Sequence, residues 1–130
     1  MKIIDPHLHL FDLEKGDYQW LKTENPPFWS DKKIIASNFT EKDLQLSSPF
    51  ELAGFVHIEA GFDNSKPWHE IAWLERTCSL PFRSIAGINL LLPSNDFQQT
   101  LDKLCQYKSV VGVRDILDEN AFDYLSNPLV

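Results

Sequence analysis

The chain has 130 residues, of which 43% are hydrophobic and 24% charged, and its formal net charge is −7. This length suits one hydrophobic core and is short for two, and the composition is that of a globular chain rather than a disordered or fibrous one. The negative charge argues against nucleic acid and membrane surfaces as partners, because both repel an acidic protein. We therefore expect a single domain over residues 1–130.

Neither the N-terminus nor any apolar run indicates export or membrane insertion. The chain reaches Asp5 without the apolar stretch of a secretory leader, and no apolar run approaches the ~18 residues of a spanning helix. Cys78 and Cys105 fall among apolar neighbours in helix-like stretches, which suits buried free thiols in a reducing compartment. We expect a cytoplasmic protein.

The first part of the chain predicts a strand, a long loop and a short helix. Apolar and polar residues alternate over Ile3–Leu10, which indicates a strand. The loop from residue 12 to about 38 is rich in aromatic residues, which favours order over disorder. Thr40 and Asp43 have the spacing of an N-cap and an acid at N3, so we expect a helix that stops before Pro49.

The rest of the chain alternates between predicted strands and helices. Further strands are expected at Leu52–Ala60, Ser84–Leu92 and Val110–Ile116. Helices are expected to open at Ser65, with Pro81 after its end, and at Ser94, and a last one could begin in the tail 118–125. This order predicts parallel strands joined by right-handed crossovers. The fold class is therefore α/β.

Polar side chains occur late in all four predicted strands. Residues two apart on a strand share a face, so Asp5, His7 and His9 should lie together, with Ile4, Leu8 and Leu10 on the buried face. The corresponding polar residues of the later strands are His57, Glu59, Asn89 and Arg114. Ligands bind at this edge of parallel sheets and barrels. We expect the functional site there.

The residue types at this edge suit hydrolytic chemistry. His7 and His9 could hold one divalent ion from a single strand, with Asp5 orienting their rings. The guanidinium of Arg114 suits bidentate binding of a carboxylate. A lone strand histidine such as His57 is as easily a core residue as a ligand. Glu59 and Asn89 could each simply cap or brace a neighbouring loop. No phosphate-binding loop, Cys-x-x-Cys pair or nucleophile elbow is present.

The ordered set of strand segments resembles the amidohydrolase-related (amidohydrolase 2) group that contains sugar-acid lactonases and 2-pyrone-4,6-dicarboxylate lactonase. The segments that carry the resemblance are 3–12, which includes His7 and His9, then 18–21, 56–60, 85–90 and 111–114. The resemblance implies the first four or so units of a (β/α)₈ TIM barrel, because a closed barrel takes ~250 residues. It implies a hydrolase of the amidohydrolase superfamily that acts on a small cyclic ester.

Roles for individual residues follow from this resemblance. His7, His9 and His57 would lie at the catalytic centre, His7 and His9 near the reacting carbonyl or a metal. Arg114 would hold an oxygen or carboxylate of a small-molecule substrate, Glu59 and Asn89 would be further substrate-binding residues, and the loop with Trp20 would wall the pocket. The expected cofactor is one divalent ion, zinc first, although some members of the group work without metal. A further His and the Asp that activates water belong to the later half of such a barrel, so catalysis by a monomer of this chain is not expected.

Two other interpretations stand beside this one. A His-x-His motif after a first strand also opens metal-dependent phosphoesterases and deoxyribonucleases of related barrels. Alternatively, the chain is a non-catalytic half-barrel that associates with a copy of itself, because an open parallel sheet leaves edges and apolar surface uncovered. We accordingly expect a homo-oligomer.

Overall fold

The computed structural model describes all 130 residues. Its strands are β1 (Lys2–Leu8), β2 (Glu51–Ile58), β3 (Phe82–Gly87) and β4 (Val110–Arg114). Its α-helices are α1 (Lys32–Ile35), α2 (Trp68–Thr77), α3 (Ser94–Leu104) and α4 (Ala121–Leu125). A short 3₁₀ helix, Gln19–Leu21, lies in the long loop after β1.

The four strands form one sheet in the order β1-β2-β3-β4, and each neighbouring pair is parallel. The predicted α/β class and parallel strands are therefore confirmed. Both outer strands have one edge without a partner strand, and apolar side chains are exposed there. Ile4 of β1 is 69% exposed, and Val111 of β4 is 59% exposed.

The core lies between one face of the sheet and the helix α2. Ile71 and Leu74 of α2 are completely buried, and they belong to one apolar cluster with Phe55 of β2 and Leu104 of α3. The long loop after β1 joins the same cluster through Tyr18, which is 1% exposed. The loop is thus held by burial of its aromatic residues, which explains why a segment with little regular structure is ordered.

All four strands end earlier than the alternation predicted. β1 ends at Leu8 rather than Leu10, β2 at Ile58 rather than Ala60, β3 at Gly87 rather than Leu92, and β4 at Arg114 rather than Ile116. Beyond β3 the chain turns, because the Asn89 side chain accepts a hydrogen bond from the Leu91 N–H at 2.8 Å. His9, Glu59 and Asn89 are consequently loop residues, whereas His7, His57 and Arg114 lie within strands.

The helix predicted to begin at Thr40 is absent, and only a turn forms. The expected capping interaction does exist, since Asp43 Oδ2 accepts hydrogen bonds from the Thr40 N–H at 2.7 Å and from its hydroxyl at 2.8 Å. Few residues remain before Pro49, however, and so short a segment recovers too few hydrogen bonds to offset helix nucleation.

The two cysteines are free, but only Cys78 is partly buried. Burial raises the pKa of the Cys78 thiol to about 12. Cys105 is exposed, so its predicted burial is wrong: it follows the last residue of α3, beyond the stripe that packs on the core. No helix in the structure has the length and apolar character needed to cross a membrane.

Candidate functional site

The imidazoles of His7 and His9 meet at the end of β1. Their Nε2 atoms are 3.1 Å apart, and the ring planes are inclined by 73°. His9 Nδ1 lies 2.9 Å from the carbonyl oxygen of Ile58. A carbonyl can only accept, so Nδ1 of His9 carries the proton and Nε2 of the neutral ring presents its lone pair toward His7.

Burial lowers the pKa of His9 below its usual 6.5, against the opposing effect of its bond to the Ile58 carbonyl. The neutral tautomer is therefore the form present at neutral pH. His7, in contrast, is exposed. One ring is fixed by the sheet, and the other faces solvent beside it.

Asp5 does not orient these rings as predicted. Its Oδ1 accepts the backbone N–H of His7 at 2.9 Å, and the pairing of β1 with β2 is irregular between Asp5 and Leu8. This irregularity interrupts the simple alternation of faces. Leu8 is partly buried and Leu10 is 3% exposed, as expected, but Ile4 is exposed on the edge strand.

The segment from Ile58 to Gly61, at the end of β2, anchors the other candidate residues. Its Ile58 carbonyl fixes His9, and its Ala60 carbonyl accepts the indole N–H of Trp20 at 2.7 Å. The Ala60 N–H donates to Glu70 Oε1 at 3.0 Å. Three parts of the chain, the β1 end, the aromatic loop and α2, are thus bonded to backbone atoms of this one segment.

Arg114 is paired with Glu59 across the sheet end. Its Nε and Nη2 lie 3.0 and 2.9 Å from Glu59 Oε1, and Nη2 also donates to the Glu59 carbonyl at 3.2 Å. The Arg114 side chain is 32% exposed and that of Glu59 is 9% exposed. The two predicted substrate-binding residues come together, but much of the guanidinium's hydrogen-bonding capacity is already used by a carboxylate of the protein.

His57 lies on the opposite face of the sheet from Arg114. Register pairs His57 with Ser84 and Gly87 with Arg114, and residues 84 and 87 of β3 point to opposite faces. His57 is completely buried, with no hydrogen bond at either ring nitrogen. Its predicted place at an open rim is wrong, because its side of β2 is covered by α2.

Glu70 of α2 is a residue that the sequence pattern missed. Its side chain is 3% exposed, and Oε1 lies 3.8 Å from His57 Nε2. Burial raises the pKa of Glu70 to about 8 and lowers the pKa of His57 to about 3, so both are uncharged at neutral pH. The sequence does contain a feature that indicates burial of Glu70. It lies four residues before Leu74, which places both residues on the same face of the helix.

Asn89 and Trp20 occupy supporting positions. Asn89 is exposed in the loop after β3, where its Oδ1 also lies 3.1 Å from the Tyr124 hydroxyl. Trp20 stacks on Trp29 at 6.2 Å between ring centroids and meets Phe11 edge to face. An aromatic wall therefore extends from the end of β2 along the loop.

The histidine pair has the geometry to share one metal ion. Zn–N distances are about 2.0–2.1 Å, so two nitrogens 3.1 Å apart can both ligate the same ion with little movement. No group of three or more His, Cys, Asp or Glu side chains in the chain is arranged to hold a metal. His7 and His9 fit as two ligands of a site whose other ligands would come from water, substrate or additional polypeptide.

A cavity of about 350 Å³ opens at the ends of β2, β3 and β4, and its lining includes Glu59, Glu70 and Arg114. His7 and His9 do not line it. The two places adjoin at the end of β2, where Ile58 holds His9 and the next residue, Glu59, lines the cavity.

Comparison with known proteins gives one match and no family. The chain is 30% identical over 136 residues to the uncharacterized protein y4mH of Sinorhizobium fredii (strain NBRC 101917 / NGR234). The match covers 98% of this chain but 45% of the relative, so the chain spans about half the length of that protein. No protein-family model matches the sequence, and no solved structure matches the fold.

Proposed function

We propose that the chain forms the first four β/α units of a (β/α)₈ barrel of the amidohydrolase superfamily, acting on a small cyclic ester. The observation that carries the proposal is the convergence of His7 and His9 Nε2 atoms at the C-terminal end of β1. In barrels and open parallel sheets this edge carries the active site. Sequential parallel strand order and the greater length of the relative support the barrel part of the proposal.

The residues of this chain position and polarise the ester in the proposal. His9 is held neutral by burial and by its bond to Ile58, so Nε2 keeps a lone pair for a metal ion or a proton of the substrate. A divalent ion held by His7 and His9, with zinc as the preferred candidate, would polarise the carbonyl of the ester and lower the pKa of a bound water. The general base is supplied by polypeptide beyond these four units.

Arg114 and Trp20 would bind the substrate. Arg114 reaches the rim from β4, and Trp20 contributes an aromatic face from the loop after β1. His57 takes no direct part in this scheme, because it is buried beneath the rim. A cytoplasmic location, with both cysteines reduced, belongs to the same proposal.

A pH-stat assay on a panel of aldonolactones, with and without added zinc, tests the proposal. It uses the 130-residue chain and, if the reading frame continues, the longer product, because the proposal assigns the base to further units. We expect hydrolysis by the longer product to be lost when His7 and His9 are both replaced by Ala, and retained in His69→Ala, an exposed histidine on α2. Hydrolysis that survives the double replacement would contradict the site assignment.

We also propose that the 130-residue chain associates with a second copy. Val111 and Val113 of the outer strand β4 are 59% and 39% exposed, beside a backbone edge with no partner strand. Such an edge offers unpaired N–H and C=O groups together with apolar surface, the combination that favours pairing between chains.

A further inference from the structure

The long loop after β1 and the start of α1 enclose a second cavity, which the histidine pair does not line. Its volume is about 350 Å³, and its lining consists of Thr23, Phe28, Trp29, Ser30, Lys32 and Lys33. It shares no lining residue with the cavity at the ends of β2, β3 and β4. The proposed chemistry uses none of these residues.

Lys32 places a buried positive charge in the wall of this cavity. The residue is 4% exposed, and its ammonium group donates to the carbonyl oxygens of Lys22 at 2.8 Å and Asn25 at 2.6 Å. Both acceptors are neutral, and Lys32 forms no ion pair with a carboxylate. Because buried charges are ordinarily paired with an opposite charge, this cation is one that the rest of the chain leaves unbalanced.

The other polar groups of the lining are hydrogen-bond donors without partners. Lys33 is exposed and forms no ion pair, and neither the Ser30 hydroxyl nor the Trp29 indole N–H makes a hydrogen bond within the chain. No carboxylate lines the cavity, although the chain has 19 acidic residues against 12 basic ones. The lining therefore attracts an anion, in contrast to the acidic protein as a whole.

These donors suit a phosphate group better than a carboxylate. A lysine ammonium is a compact point charge, whereas the planar guanidinium of arginine is the group that matches the two oxygens of a carboxylate. Lys33, Ser30 and Trp29 offer donors on three separate side chains. Separate donors can reach different oxygens of one tetrahedral group.

Exposed aromatic rings complete the lining. Phe28 is 71% exposed and Trp29 40% exposed. Lys32 Nζ lies 5.9 Å from the ring centroid of Phe28 and 5.5 Å from that of Trp29, so the buried charge and the rings border the same space. Trp29 already stacks on Trp20, which leaves Phe28 as the ring more available to a planar ligand group.

We infer that this cavity binds a small phosphate monoester that carries a planar ring. Lys33, Ser30 and Trp29 donate to the phosphate, and Phe28 packs on the ring. Lys32 supplies buried charge and holds the loop through its bonds to the carbonyls of Lys22 and Asn25. The volume of about 350 Å³ lies within the range of small-molecule pockets, about 300–1,000 Å³. The formal net charge of −7 opposes a polyanionic polymer, so the ligand is a small molecule.

Titration of the ¹⁵N-labelled full chain with phenyl phosphate and with AMP tests this inference. The reporter is the indole N–H signal of Trp29, identified from its absence in Trp29→Phe. Phenol presents the ring alone, inorganic phosphate the charge alone, and benzylamine a ring with the opposite charge. We expect a phosphate monoester to shift the signal at millimolar concentration, phenol and inorganic phosphate to bind about tenfold more weakly, and benzylamine not to bind. Equal binding of any comparison compound would overturn the inference, as would no binding of either ester.

Two variants connect the binding to the cavity. Lys33→Gln removes an exposed charge that makes no ion pair, and Phe28→Leu removes an exposed ring, so each should weaken binding by about fivefold in a folded protein. The matched controls are Lys108→Gln, also exposed, and Phe122→Leu, at a position 82% exposed on α4. Both controls should bind as the parent does. If Lys33→Gln and Phe28→Leu also bind as the parent does, the cavity is not the binding site.

Discussion

Glu70 Oε1 and His57 Nε2 are 3.8 Å apart in the interior of the protein, and neither side chain is more than 3% exposed. Burial shifts the two pKa values in opposite directions, that of Glu70 from 4.5 up to about 8 and that of His57 from 6.5 down to about 3. Unfolding therefore releases a proton from Glu70 and takes one up at His57, each over its own pH range.

The pH dependence of stability should carry the signature of Glu70. Between pH 4.5 and 6.5 the two proton changes oppose each other, whereas the contribution of unfolded His57 fades above pH 6.5 and Glu70 is then the main contributor of the two. Because the pKa of Glu70 is raised by folding, we expect the free energy of unfolding to decrease from pH 6.5 to 8, by at most about 1.4 kcal/mol per pH unit.

Urea unfolding at several pH values measures this slope. Glu70→Gln keeps an acceptor for the Ala60 N–H but cannot ionise, so the decrease above pH 6.5 should largely disappear. Glu119→Gln, an exposed position without side-chain hydrogen bonds, controls for the change in net charge. An unchanged slope in Glu70→Gln would show that another group is responsible.

Zinc binding should depend on both histidines of β1. We expect one ion per chain by isothermal titration calorimetry, and affinity reduced by about tenfold or more in His7→Ala and in His9→Ala, because each replacement leaves a single protein ligand. His69→Ala should bind zinc as the parent does, since His69 is exposed on α2 and bonded to Asp63. Equal loss in all three variants would indicate unspecific surface binding.

Removing the indole N–H of Trp20 should destabilise the protein. Trp20→Phe keeps an aromatic ring but leaves the Ala60 carbonyl, now bonded at 2.7 Å, without this donor. We expect the free energy of unfolding to fall by about 1–3 kcal/mol in urea titrations. Trp29→Phe is the control, because Trp29 stacks on Trp20 and its own indole N–H makes no hydrogen bond. A loss no larger than in the control would show that the bond contributes little.

Self-association should depend on the exposed edge of β4. Val111→Lys with Val113→Lys places two charges beside that edge, which is a common protection against pairing between sheets. Light scattering after size-exclusion chromatography should show dimers or larger species for the parent and a shift toward monomer for the double variant. Ile34→Lys, at a position 68% exposed on α1, should leave the distribution unchanged. A parent that is already monomeric would contradict the proposal.

The sequence predicted the strands and the histidine pair because both depend on local pattern. Each predicted strand overlaps an observed one, and His7 and His9 meet because they lie two residues apart on the same chain segment. The predicted strands run past the observed strand ends. Side-chain hydrogen bonds, such as that from the Leu91 N–H to Asn89 Oδ1, decide where the chain turns.

What the sequence could not provide depends on contacts between distant segments. Alternation grouped His57 with Glu59, but α2 covers His57 while Glu59 turns toward Arg114 after β2 ends. The partnership of His57 with Glu70 joins a strand to a helix, and no spacing rule within either element reveals it. The sequence analysis likewise predicted that Arg114 binds a carboxylate of the substrate. It did not anticipate that the carboxylate of Glu59 already pairs with Arg114.

The bonds at the end of β2 have a consequence for how such sequences can diverge. His9, Trp20 and Glu70 are all held by backbone atoms of the segment 58–61, not by its side chains. Substitutions at Ile58 or Ala60 that fit the space would therefore preserve the anchoring points even where identity is lost. Homologues of this chain can accordingly share the geometry of the site while differing in the residues at positions 58 and 60.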